Sequence, residues 1–117
     1  MKPGLLVRWV FPQADGRIKQ RPAVLLLRFD ARGDWLVVAV SGKVANYDHA
    51  LHELIDLDHV DFRTLGLPFA ALLRADMVET IPNGAIKDVL GEVSFTTVSR
   101  LRRRLASRLM DEGDLVG

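Results

Sequence analysis

The chain contains no cysteine, and that absence closes several routes at once. It excludes disulfides, thiolate metal centres and cysteine nucleophiles, and it fits a reducing compartment. Charge of one sign is also lacking. The net charge is only +1, so no global field advertises nucleic-acid binding and any such site must come from local clustering. No apolar run approaches the roughly 20 residues that cross a bilayer. Met1-Lys2-Pro3-Gly4 leads straight into a strand-like run without a small-residue cleavage site, so a cytoplasmic protein with no membrane partner is expected. Repeats, low-complexity tracts and linkers are missing too, and the 117 residues read as a single domain, 1–117.

What is present is a series of short strands. Leu5 to Phe11 is an apolar run closed by Pro12, and Gln13-Ala14-Asp15-Gly16 supplies turn residues. Pro22 to Phe29 is apolar on both faces through Val24, Leu25, Leu26 and Leu27, which predicts a strand buried on both sides. Ala31-Arg32-Gly33-Asp34 marks a hairpin turn before a third strand, Trp35 to Val40. The pattern loosens from Ser41 to Pro68, with a short strand at Glu53 to Leu57. A further strand covers Leu72 to Thr80. Asn83 is expected to cap a short helix carrying Ile86, Val89 and Leu90. Ser94 is expected to cap a final helix whose stripe is Val98, Leu101, Leu105 and Leu109, with a frayed tail from Asp111. The fold class is therefore α+β, mainly β, a small barrel or sandwich with a C-terminal amphipathic helix.

Candidate chemistry is concentrated in Leu72 to Thr80. Residues two apart on a strand share a face, so Arg74 and Asp76 project together with Cα atoms roughly 6.5 Å apart. Leu73, Ala75 and Met77 are then expected to face the core. By spacing alone the pair reads either as an acid and a base flanking a phosphorus centre or as a surface ion pair worth less than about 1 kcal/mol. Arg21 stands before Pro22 in extended geometry, and its guanidinium fork suits a phosphate. Ser41 ends the third strand beside Gly42 and offers a hydroxyl to a phosphate or to a turn. His49, His52 and His59 lie among Asp48, Glu53, Asp56, Asp58 and Asp61. Their spacing matches no strong metal pattern, so a solvated polar loop is expected and no metal or cofactor is invoked. Arg100, Arg103, Arg104 and Arg108 are expected on a solvated helix face, with Arg102 at the edge of the leucine stripe, where it must snorkel or meet a carboxylate.

Taken in order, the segments resemble the PemK/MazF family of toxin–antitoxin ribonucleases. The resemblance runs through Pro3-Gly4, Trp9-Val10-Phe11-Pro12, Arg21-Pro22-Ala23-Val24-Leu25, Val38-Ala39-Val40-Ser41, Gly66-Leu67-Pro68, Arg74-Ala75-Asp76 with Thr80-Ile81-Pro82, Ile86-Lys87 and Val89-Leu90-Gly91. It implies an SH3-like barrel that forms a homodimer. It also implies a metal-independent endoribonuclease acting on single-stranded RNA, with attack by the ribose 2′-hydroxyl and release of a cyclic phosphate and a 5′-hydroxyl end. A small acidic antitoxin is the implied partner. Carried over by position, Asp76 would be the general base and Arg74 an acid or electrostatic donor. Arg21 would stabilise the phosphoryl oxygens and Ser41 would hydrogen-bond a phosphate.

The chain departs from that pattern in two places. Some relatives carry a histidine in the first loop, where Arg17, Ile18 and Lys19 stand here; Arg17, Lys19 and Lys43 are the further candidates for RNA contact. Val44 to Arg63 matches poorly and is expected to shape base recognition. Two other readings share the fold. One is a non-enzymatic gyrase poison of the CcdB type, disfavoured because both tryptophans, Trp9 and Trp35, lie in early strands. The other is a catalytically silent binding module.

Overall fold

The computed structural model describes the backbone of residues 1–12 and 14–116 and the side chains of residues 1–10 and 14–111. The strands are β1 (Leu5–Pro12), β2 (Ile18–Arg28), β3 (Trp35–Ser41), β4 (His52–Ile55), β5 (Ala71–Ile81) and β6 (Ile86–Glu92). Helix α1 (Phe62–Leu65) is a single turn, and α2 (Phe95–Val116) closes the chain. The strands form one six-stranded sheet in the order β4-β5-β3-β2-β1-β6, every neighbouring pair antiparallel. The expected α+β class, mainly β with a C-terminal helix, is what the chain adopts. The sheet is open, with β4 and β6 as its edges, and does not close into a barrel.

The opening meander forms as its residues dictate. Gly33 takes φ +93° in the β2–β3 turn, a conformation that strains any side-chain-bearing residue. Asp30 completes that turn by accepting the Arg32 backbone N–H at 2.9 Å. Gln13, in the expected first turn, lies outside the described residues.

Strand β2 is buried on both faces, and its alternation feeds two cores. Val24 and Leu26 join Leu6, Val38, Ile55, Leu73 and Ala75 on the face covered by Leu65 of α1 and by Val98 and Leu101 of α2. Ala23 and Leu25 join Val7, Trp9, Trp35, Val37 and Ile81 on the other face, against which Leu5, Ala85 and Ile86 pack. Each fully buried leucine contributes about 1.5–3 kcal/mol relative to exposure.

Ser94 does cap α2, its hydroxyl accepting the Thr97 backbone N–H at 3.4 Å. The leucine stripe fades along the helix. Val98 and Leu101 are buried, Leu105 packs at the core margin, and Leu109 is exposed because α2 outruns the sheet. The helix runs to Val116, and the side chains beyond Asp111, where fraying is expected, lie outside the described residues.

The expected short helix over Ile86, Val89 and Leu90 is instead strand β6. Only Asn83–Ala85 forms a 3-10 turn, with Pro82 at its N-terminus and no side-chain cap. The apolar spacing misleads because β6 pairs with β1 through two register shifts, between Leu6 and Val7 and between Arg8 and Trp9. Each bulge offsets the strict alternation of a strand. Gly91 is required for a separate reason: a Cβ there would lie 2.1 Å from the Leu65 carbonyl oxygen.

Candidate functional site

The site begins with an irregularity in β5. Val38 of β3 pairs with Val78, yet the next residue, Ala39, pairs with Arg74. Ala75, Asp76 and Met77 are thus excess residues on β5, a bulge that re-aims the side chains around it. Ala75 remains buried, but Met77 is 42% exposed, contrary to the expected core-facing position. The bulge is the reason, because alternation cannot be carried across it.

Arg74 and Asp76 do project together. Arg74 Nε donates to Asp76 Oδ1 at 3.1 Å and Nη2 to Oδ2 at 2.7 Å, a bidentate pair. The Arg74 guanidinium therefore holds the Asp76 carboxyl below the ordinary aspartate range. The reciprocal effect raises Arg74.

A third residue completes the arrangement. His52 of β4 is paired opposite Arg74, and its Nε2 lies 3.1 Å from Asp76 Oδ1. Its Nδ1 accepts the Asp48 backbone N–H at 3.0 Å. Nδ1 thus serves as acceptor, which assigns the proton of the neutral ring to Nε2, where it is donated to Asp76. His52 is 4% exposed, not part of a solvated loop. The first loop, where some relatives carry a histidine, has none. The signal was a histidine in a strand 24 residues before Asp76, visible only once the β4–β5 register is known.

The other expected residues converge beside this pair. A hollow of about 500 Å³ is lined by Lys19, Arg21, Ser41, Lys43 and Arg74 among others. The Ser41 hydroxyl accepts the Lys43 backbone N–H at 3.1 Å, which leaves its own O–H available as a donor. A second cavity of about 310 Å³ adjoins the first through Arg21, Pro22, Ala39 and Met77, with Asp76 on its rim. Arg17 lines neither cavity. It is 83% exposed and paired with Asp15 at 3.5 Å, so the structure does not bring it to the site.

Of the remaining polar residues of the middle segment, Asp48, His49 and Asp58 are exposed, as expected, but Glu53, His59 and Asp61 form a clasp. Glu53 of β4 is buried and accepts Arg100 Nη2 at 2.7 Å and His59 Nε2 at 2.9 Å, with Arg104 on its other oxygen. Burial alone would raise this carboxyl, but the donors from Arg100, His59 and Arg104 outweigh it and hold the pKa down at about 2. Asp61, also buried, accepts Thr97 Oγ1 at 2.5 Å and Ser94 Oγ at 3.1 Å. Arg100 and Arg104, expected on a solvated face, therefore pin α2 to β4. Arg102 meets a main-chain carbonyl instead of a carboxylate: Nε and Nη2 donate to the Leu26 oxygen at 3.0 and 2.5 Å. Its guanidinium also stands 5.6 Å from the centre of the Phe95 ring. Among the described residues no cluster of histidines and carboxylates is arranged as a metal-ligand set.

No helix is long and apolar enough to cross a membrane among the described residues. No protein-family model matches the chain, and a search of curated proteins finds no match.

Proposed function

We propose that the chain is a metal-independent endoribonuclease of the PemK/MazF type, cutting single-stranded RNA by attack of the ribose 2′-hydroxyl. The observation that carries this reading is the state of the Asp76 carboxylate. It has about four acceptor positions. Arg74 and His52 occupy three of them, two on Oδ1 and one on Oδ2. Its own backbone N–H contributes a further bond, and Oδ2, with one side-chain donor against two on Oδ1, is the oxygen offered to a substrate hydroxyl next to a hollow lined by Arg21, Lys19, Lys43 and the Ser41 hydroxyl.

In the reaction, the 2′-oxygen forms a bond to phosphorus as its proton passes to Asp76 Oδ2, and the bond to the 5′-oxygen breaks. The departing oxygen takes a proton from water. Arg74, raised by its partner, retains its own protons and acts as an electrostatic donor. Arg21 and Ser41 hold the charge that grows on the phosphoryl oxygens. His52 cannot be the base, because Nε2 already carries a proton and Nδ1 is occupied by the Asp48 amide. It is a positioning residue for Asp76.

The SH3-like family fold, a homodimer, an acidic antitoxin and a cytoplasmic location belong to the same proposal, resting on the sequence resemblance. An antitoxin of that charge would suit the Lys19, Arg21, Lys43 and Arg74 side chains. The depressed basicity of Asp76 favours one alternative, a binding module that holds RNA without cutting it.

The deciding experiment is digestion of single-stranded RNA in excess EDTA with the ends mapped. Cyclic phosphate and 5′-hydroxyl ends are expected. Asp76→Asn and Arg21→Ala should each lower the rate on the order of 10²-fold or more. RNA retained but never cut would establish the binding module instead.

A further inference from the structure

We propose that the smaller cavity is a nucleobase pocket that selects guanine, an inference that rests on the single-stranded RNA reading of the adjoining hollow. The cavity, about 310 Å³, is within the usual range of small-molecule sites. Its floor is apolar, built from Trp9, Ala23 and Val37, each less than 10% exposed. Pro22, Met77 and Val78 form its walls. Such a slot suits a flat, weakly polar ring far better than it suits a phosphate. The phosphate position is supplied next door, and Arg21 lines both cavities, so a base and its neighbouring phosphate can be held at once.

The selecting group is Glu79. It pairs with Val37 in the β3–β5 register, lines the cavity and is exposed. Its carboxylate makes no hydrogen bond or ion pair to any other described residue, unlike that of Asp76 on the same rim, which is committed to Arg74 and His52. A free carboxylate only accepts hydrogen bonds. Of the four RNA bases, only guanine presents a ring N–H and an amino N–H side by side on its pairing edge. Adenine and cytosine set an amino donor beside a ring acceptor, and uracil flanks its single N–H with two carbonyls. A carboxylate therefore receives two bonds from guanine and meets a repulsive lone pair with each of the others.

The test uses fluorescently labelled, uncleavable 2′-fluoro RNA nine nucleotides long, of uridine throughout or with one central guanine, adenine or inosine. Inosine keeps the ring N–H of guanine and lacks its amino group. Anisotropy titrations with the full chain should show guanine bound about 10-fold or more tighter than adenine or uridine. Inosine should lose most of that advantage. In Glu79→Gln, and equally in Glu79→Ala, the guanine-to-inosine affinity ratio should fall to near one. RNA bound with no preference among the bases, or a guanine preference unchanged in both variants, overturns the pocket while leaving the ribonuclease reading intact. Failure to bind any of these RNAs overturns both.

Discussion

Replacing Glu53 with glutamine should loosen the join between α2 and the sheet in a way that depends on pH. The carboxyl titrates at about 2 in the folded chain against an ordinary 4.5, so the native state binds fewer protons than the unfolded one across that interval. The stability linked to this ionisation is therefore complete above about pH 5 and is lost as pH falls through 4.5 toward 2. A difference of that size corresponds to about 3 kcal/mol at pH 7 and about 1.5 kcal/mol at pH 3. Glutamine keeps the volume and one acceptor but removes the carboxylate shared by Arg100 and Arg104 and leaves Arg100 only the more distant charge of Asp61, which is the costly way to break such a cluster. Urea unfolding of wild type and Glu53→Gln at both pH values is the assay. The variant should be less stable by about 3 kcal/mol at pH 7, about 10 °C or more in Tm for a domain of this size. The gap should shrink to about 1.5 kcal/mol at pH 3. Equal stability at pH 7, or a gap that does not change with pH, would refute the account of Glu53 as an ionised clasp.

Two further outcomes follow from the same physics. His52→Ala should reduce kcat for RNA cleavage by about 10- to 100-fold with little change in KM, because the scissile phosphate is held elsewhere. His52→Gln, which retains an N–H donor, should recover part of that loss; an unchanged kcat in His52→Ala would remove the positioning role. Gly91→Ala drives a methyl group into the Leu65 carbonyl and should cost about 3 kcal/mol or more in chemical denaturation, and a cost under about 1 kcal/mol would contradict the close approach of α1 and β6.

The parts of this fold that could be read in advance are those specified locally. The hairpin at Gly33, the two-faced burial of β2 and the Ser94 cap depend on residues within a few positions of each other. Arg74 and Asp76 were legible for the same reason, since two residues on one strand share a face. What was hidden depends on pairing across the sheet. His52 reaches Asp76 only because β4 registers on β5, and Glu53 finds Arg100 and Arg104 some 47 and 51 residues later. Both were masked by a polar composition that also describes a solvated loop. The misassigned β6 and the outward Met77 share another cause. Bulges break the period of two, so a short apolar segment can imitate the spacing of a helix.

The contact between Arg102 and the Leu26 carbonyl bears on which changes of length the chain tolerates. Leu25 pairs with Val37 and Leu27 with Leu36, so Leu26 is the residue skipped by the β2–β3 ladder, and a guanidinium from α2 satisfies its oxygen. Adding or deleting one residue between Ser94 and Arg102 would turn that side chain about 100° around the helix and leave the carbonyl bare. The first two turns of α2 are thus fixed in length by a defect in the sheet beneath them. Beyond Leu105 the described side chains, Ala106 to Asp111, are exposed, so no such constraint from the sheet acts on them.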